Sequence, residues 1–232
     1  FFPYDSAKGA DRARMAHEAL KARPANAPGS AFFYSNLGYV VAGRMAEVVA
    51  GKDWESLMRE ELFRPLGMDG AGFGPPAKGR PGPWGHTPKP LDPDSFNADN
   101  PAALGPAGTV HASLADLERS VTLYFDPGVT TVPGIATPRL LSEAARTELM
   151  SPRLEGYGLG WAVFDQEGRR FLYHDGCNTS FYSSIVIFPA TGDAIIVLAN
   201  RGDEAAGAAV GRLVEYLAGR FLVRERSDEG QE

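Results

Sequence analysis

Cysteine is nearly absent: Cys177 is the only one in 232 residues. One thiol closes no internal disulfide and builds no cysteine zinc site. That fits a cytoplasm and a bacterial periplasm equally. Long apolar runs are missing too. The longest aliphatic run, Ala194-Ile195-Ile196-Val197-Leu198-Ala199, falls far short of the ~20 residues a membrane helix needs. No Lys/Arg cluster occurs, and 23 basic residues stand against 29 acidic ones, a net charge of -6. Such a chain is a poor partner for nucleic acid or anionic lipid. His17, His86, His111 and His174 lie far apart with no ligand spacing, so no metal is expected. Gly72-Phe73-Gly74-Pro75-Pro76-Ala77 imitates a dinucleotide fingerprint. Its paired prolines remove the N–H donors that would hold a pyrophosphate, so no cofactor is expected. The chain opens Phe1-Phe2-Pro3, with neither methionine nor signal peptide. We therefore expect it to be processed, trimmed, or part of something longer.

What is present reads as an ordinary globular chain, 44% hydrophobic and 22% charged, long enough for one large domain or two small ones. The stretch 10–21 reads as a helix broken by Pro24 and Pro28-Gly29. Asn36 reads as the N-cap of a helix to Ala50, with Leu37, Val41, Met45 and Val48 as its apolar stripe and Gly51 as its stop. Asp53 caps a second helix, ended by Pro65-Leu66-Gly67. Residues 65–108 hold ten prolines and nine glycines among 44 positions, a functional or covering loop with few elements of its own. Ser113 to Asp116 fits a capping box, and the helix after it would expose Glu118 and bury Leu117, Val121 and Tyr124. Ser142 opens another helix. Then come β-rich runs at 157–164, 171–174, 181–188 and 194–199. Gln166-Glu167-Gly168 and Ala190-Thr191-Gly192-Asp193 are hairpin-length turns, so the sheet is an antiparallel meander. A closing helix runs from Glu204 to Val223, with Val210, Leu213, Leu217 and Phe221 on one face. Arg224 to Glu232 is a polar, frayed tail. The expected division is 1–150, mostly helical with the long loop, and 151–232, sheet and closing helix.

Three places carry candidate chemistry. Tyr34-Ser35-Asn36 reads either as a helix start beside a core aromatic or as a catalytic motif. His174-Asp175-Gly176 ends a strand, and its glycine allows close approach of a ligand or another backbone; it reads equally as a turn. Cys177 reads as a small buried residue rather than a nucleophile. A strand sends residues three apart to opposite faces, so His174 is not its partner.

Taken in order, these pieces resemble the penicillin-recognising serine hydrolases: class C β-lactamases, D-alanyl-D-alanine carboxypeptidases and related esterases. Pro28-Gly29-Ser30 with Phe33-Tyr34-Ser35-Asn36-Leu37-Gly38-Tyr39 resembles the second motif of that family. Leu62-Phe63-Arg64-Pro65-Leu66-Gly67-Met68, Pro106-Ala107-Gly108-Thr109, Ser113 to Leu117 and Tyr157-Gly158-Leu159-Gly160-Trp161 continue the match. His174-Asp175-Gly176 stands where the family has Lys-Thr-Gly or His-Thr-Gly, and Ile195 to Asn200 resembles its last strand. Each motif is weak, but the ordered set is specific and covers nearly the whole chain.

The resemblance implies an α/β (α+β) fold, an antiparallel sheet flanked by helices plus a helical region, with its amino-terminal part missing. It implies an acyl-enzyme mechanism on a small-molecule or peptide substrate: a β-lactam, a D-alanyl peptide or a small ester. Tyr34 would be the base that activates a serine, Asn36 would hold the substrate amide or a lysine, and His174 would face them. Asp175 and Gly176 would contact substrate, and the Cys177 N–H would be half of an oxyanion hole. Asp175 replaces a hydroxyl residue and would repel a β-lactam carboxylate. The nucleophile of the family lies in a Ser-x-x-Lys motif before Tyr-x-Asn. The lysines here are Lys8, Lys21, Lys52, Lys78 and Lys89, preceded three positions back by Asp5, Glu18, Val49, Pro75 and His86. No Ser-x-x-Lys exists in these residues. The nucleophile segment, or another chain, would pair with this one, and these residues alone would be inactive. The alternative is a catalytically dead relative that binds cell-wall peptides or a protein partner. A periplasmic or secreted location follows from the resemblance.

Overall fold

The computed structural model describes residues 8–129, 140–166 and 168–222. The expected turn residue Glu167, the helix end at Val223, the side chain of Phe221 and the tail 224–232 lie outside the described residues. Helix α1 (Lys8–Lys21) packs against α2 (Asn36–Ala50). The cap of α2 is Ser35, one residue earlier than the sequence pattern indicates. Its backbone is extended, and its hydroxyl accepts the Gly38 N–H at 3.2 Å. Asn36 is thereby the first helical residue, free of capping duty. Gly51 ends α2 at φ 66, a left-handed conformation that glycine adopts without a Cβ clash.

Asp53 caps α3 (Trp54–Leu57) as expected. The helix then widens into a π segment, Met58–Phe63, where the Arg64 N–H bonds back to the Arg59 carbonyl. It resumes as α4 (Arg64–Leu66) and stops at Gly67, within the expected Pro65-Leu66-Gly67. Within the Pro/Gly-rich stretch, β1 (Gly72–Phe73) pairs with β2 (Val110–His111). A 3-10 turn at Ala102–Leu104 leads into α5 (Gly105–Gly108). The capping box of Ser113 and Asp116 opens α6 (Leu114–Val121), and Ser142 caps α7 (Glu143–Leu149).

The sheet is an antiparallel meander in chain order, β3 (Ala162–Gln166), β4 (Arg169–Asn178), β5 (Phe181–Phe188) and β6 (Asp193–Ala199). Two boundaries differ from the sequence reading. Residues 157–161 are not strand: Gly158 and Gly160 (φ 93) bend them, and only isolated bridges from Tyr157 to Leu154 and to Ala162 remain. And β4 runs straight through His174-Asp175-Gly176 to Asn178, because β5 pairs with it all the way.

One face of the sheet packs Val186, Ile195 and Val197 against Val210, Val214 and Leu217 of α8 (Glu204–Leu217). Val214 replaces the expected Leu213, which is 43% exposed. The other face packs Leu172 and Ile187, both fully buried, against Val121, Phe125 and Met150. Among the described residues no helix is long and apolar enough to cross a membrane.

Candidate active site

The second core sets the site. Leu172 anchors β4 beneath α6, and two residues along the same face comes His174, where side-chain alternation must put it. The core opens there, and His174 is half-buried at its mouth. Across the opening stands Tyr34, 140 positions earlier, held by the extended backbone that precedes the α2 cap. The two ring centres are 6.4 Å apart. Tyr34 is 51% exposed, so it lines an open cleft rather than a closed core. Asn36 follows in the first turn of α2 and is exposed.

Two further rings complete the cleft, and the sequence reading missed both as site residues. Tyr157 meets Tyr34 edge-on at 6.1 Å and His174 at 6.5 Å, and Trp161 meets His174 at 6.3 Å. Phe32 lies on Tyr157 at 4.7 Å. The bend at 157–161 delivers them. Gly160 leaves room there, since a Cβ would stand 3.2 Å from the Tyr39 hydroxyl. The signal in sequence was the paired glycines, which weaken a strand and often mark a bend.

Burial sets the electrostatics. It holds His174 below its ordinary value, with the neighbouring Asp175 opposing, so the imidazole is neutral at pH 7. It pushes the Tyr157 phenol up to about 12, with Tyr39, Tyr34 and Asp175 adding to the shift. Tyr157 is therefore a proton donor, and its buried hydroxyl has no hydrogen-bond partner among the described residues.

Asp175 and Cys177 face away from this cleft. They share the α8 side of the sheet with Tyr173, and the Asp175 carboxylate accepts a hydrogen bond from the Tyr182 hydroxyl. The carboxylate thus acts on the cleft by its charge and not by contact. Cys177 is exposed, not buried as expected. The reason is that β3 ends at Ala162, opposite Tyr173, and gives no cover further along β4.

The backbone there matters more than the side chains. Thr179 and Ser180 form a two-residue turn between Asn178 and Phe181. The pair flanking such a turn exchanges hydrogen bonds, and bonding then alternates along the strands. Gly176 therefore bonds toward β5, while the N–H of Cys177 points to the β3 side, past the end of β3. Among the described residues no strand pairs with this edge of β4 beyond Tyr173. A groove of about 430 Å³ lies elsewhere, between Leu114, Val121 and Phe125 on one side and Ala194 and Ile196 of β6 on the other. No residue of the cleft lines it.

Comparison with known proteins shows the family. The chain is 29% identical over 188 residues to penicillin-binding protein 4 of Amycolatopsis lactamdurans, covering 75% of this chain and 49% of the relative. An unguisins hydrolase of Aspergillus violaceofuscus is 25% identical over 210 residues, covering 78% and 36%. The chain thus spans about half or less of the curated relatives it matches. Among solved structures, SurE with D-Leu superposes with a TM-score of 0.70 at 28% identity, covering 95% of this chain and 50% of SurE. The D-amino acid amidase of Ochrobactrum anthropi, complexed with D-phenylalanine, shares the fold at 20% identity, TM-score 0.63, covering 93% and 71%. The family model described as Beta-lactamase matches residues 1–219, and the chain belongs to that family.

Proposed function

We propose that the protein is a serine hydrolase that cleaves an amide or ester through an acyl-enzyme, with a β-lactam, a D-alanyl peptide or a small ester as substrate. The observation that carries this is the meeting of Tyr34 and His174 across an open cleft, beside a Cys177 N–H that β3 does not reach among the described residues. Tyr34 takes the proton of the attacking serine. The serine adds to the substrate carbonyl, and the oxyanion forms against the Cys177 N–H. The leaving group departs with a proton, and water then resolves the ester. A neutral His174 cannot stabilise a phenolate by charge, so that task falls on a lysine. The name of one relative, a hydrolase, accords with this reading.

The 232 residues contain no Ser-x-x-Lys, so the reading puts the serine and lysine in sequence outside them. Surface exposure supports this. On α2, Leu37 is 40% exposed, Met45 and Val48 64% and Val49 89%. On β6, an edge strand among the described residues, Leu198 is 40% exposed. Several large apolar side chains left exposed on one helix accord with a face that another segment covers. The missing motif also favours a second reading, a binding relative without turnover. Labelling the longest natural form with a fluorescent penicillin, alongside hydrolysis of D-amino acid amides and small esters, separates the two. Covalent label on a serine and turnover are expected. Reversible binding of cell-wall peptide without either would establish the second reading.

A further inference from the structure

The end of β4 is held by a clamp whose two side-chain anchors, Asp99 and Asn178, belong to none of the motifs. Asn178, the last residue of the strand, donates from Nδ2 to the Asp99 carboxylate and, at 2.7 Å, to the Gly108 carbonyl. Asp99 also accepts the Asn100 N–H at 2.6 Å, and Asn100 Nδ2 donates to the same Gly108 carbonyl at 2.9 Å. An asparagine opening a tight turn ordinarily bonds to its own backbone two residues on. Here the side chain instead spans 79 and 70 positions of sequence to the Pro/Gly-rich stretch. Burial pushes the Asp99 carboxyl up to about 6. Its charge is retained against desolvation, and Asn178 is one of the donors that compensates it.

The turn that follows is strained. Thr179 has φ 50, a region that β-branched side chains rarely enter and that persists only where the surroundings enforce it. They do so here. Ser180 is 1% exposed, and its carbonyl accepts the His86 N–H at 3.1 Å. Gly202 donates to the His86 carbonyl at 3.0 Å and leaves no room for a side chain, since a Cβ would meet the Thr179 carbonyl at 2.6 Å. One residue before this fixed corner lies Cys177, whose edge of the strand lacks a β3 neighbour. A strand end laddered on one side frays unless something else restrains it.

We propose that Asp99 and Asn178 are positioning residues that fix the direction of the Cys177 N–H by clamping the strand at its final residue. The catalytic half of this proposal rests on the serine hydrolase reading. An oxyanion donor acts only while it stays within about 2.7–3.1 Å of the developing charge. The clamp therefore supports transition-state binding and leaves ground-state binding nearly untouched.

Two readouts test it. In this chain, amide hydrogen exchange of peptides covering 175–181 rises at least about 10-fold in Asn178→Ala, while α8 peptides stay unchanged. Asp99→Ala does the same, and the double variant adds little, as expected for one shared contact. In the longest natural form, Asn178→Ala and Asp99→Ala each lower kcat about 10–100-fold with KM within about 3-fold. Asp99→Asn, which keeps an acceptor oxygen, stays near wild type. If Asn178→Ala does not fold, Asn178→Ser takes its place, because it keeps a turn-forming hydroxyl but cannot reach Asp99. Unchanged exchange overturns the clamp, whatever the activity. Raised exchange with unchanged kcat overturns the positioning role. A wild type with neither label nor turnover counts against the hydrolase reading instead, and the exchange measurement still decides the clamp.

Discussion

Replacing Arg12 by alanine should cripple the helical region. Arg12 is fully buried and donates to Glu47, to Glu55 at 2.7 Å and to the Ala102 carbonyl at 3.0 Å. Its guanidinium lies 5.5 Å from the Trp54 ring. One cation thereby joins α1, α2, α3 and the 3-10 turn that precedes Gly108. Arg12→Ala leaves Glu47 and Glu55, each 4% exposed, without it. Arg44 still reaches Glu47 at 3.1 Å. Stranding a buried charge in this way costs about 3–5 kcal/mol, a large share of the roughly 5–15 kcal/mol that holds a domain together. At about 2–4 °C per kcal/mol for a chain of this size, Tm falls by about 6–20 °C. Differential scanning calorimetry at pH 7 measures it. The replacement of all three by apolar residues, Arg12→Met with Glu47→Leu and Glu55→Met, strands no charge and should lose less than Arg12→Ala alone. A triple variant less stable than the single one would refute the stranding argument. So would a fall of under about 2 °C in Arg12→Ala, well below the range derived from the same scaling.

Three more outcomes are expected. Residues 1–232 treated with penicillin show no acyl adduct by mass spectrometry, and a stable adduct on Ser35 would show that the nucleophile lies within them. In the complete protein, Tyr34→Phe lowers turnover about 10²–10⁴-fold without changing Tm, as for loss of a positioned base; wild-type turnover would assign the base elsewhere. The third concerns pH. Burial raises the folded Asp99 from its ordinary 3.8 to about 6, so the folded chain binds this proton more tightly than the unfolded one. Its contribution is fully present below about 3.8 and is lost as pH rises through 6, amounting to at most about 3 kcal/mol. Urea titrations should therefore show wild type gaining on Asp99→Asn between pH 7 and pH 4, and a constant difference would remove the buried carboxyl from the account.

Much of the architecture was written locally. The capping box at Ser113 and Asp116, the cap at Asp53 and the meander were legible because each depends on residues a few positions apart. Tyr34 and His174 stood out for the same reason, as short motifs with fixed neighbours. The apolar stripe of α2 was equally plain, but its fate was not. Val40, Gly43 and Glu47 turn inward, while Met45 and Val48 remain on the surface. Periodicity shows that a face seeks cover, and only packing shows whether the cover is there.

Other features had no local signal. The direction of Asp175 follows from side-chain alternation along a strand whose extent is decided by β5, not by the motif. The exposure of Cys177 follows from where a different strand, β3, happens to stop. Tyr157 and Trp161 reach the cleft only because two glycines bend a segment rich in strand-forming residues. The tie between Asp99 and Asn178 joins a loop to a strand 79 positions away. What the sequence determined by itself was which segments are helix or strand and which residue types could do chemistry, since backbone propensity and capping act over a turn or two. Tertiary structure alone decided which of those residues face one another, because a one-residue shift in how a strand pairs moves every side chain on it to the other face, and where its neighbour stops decides which of them are covered.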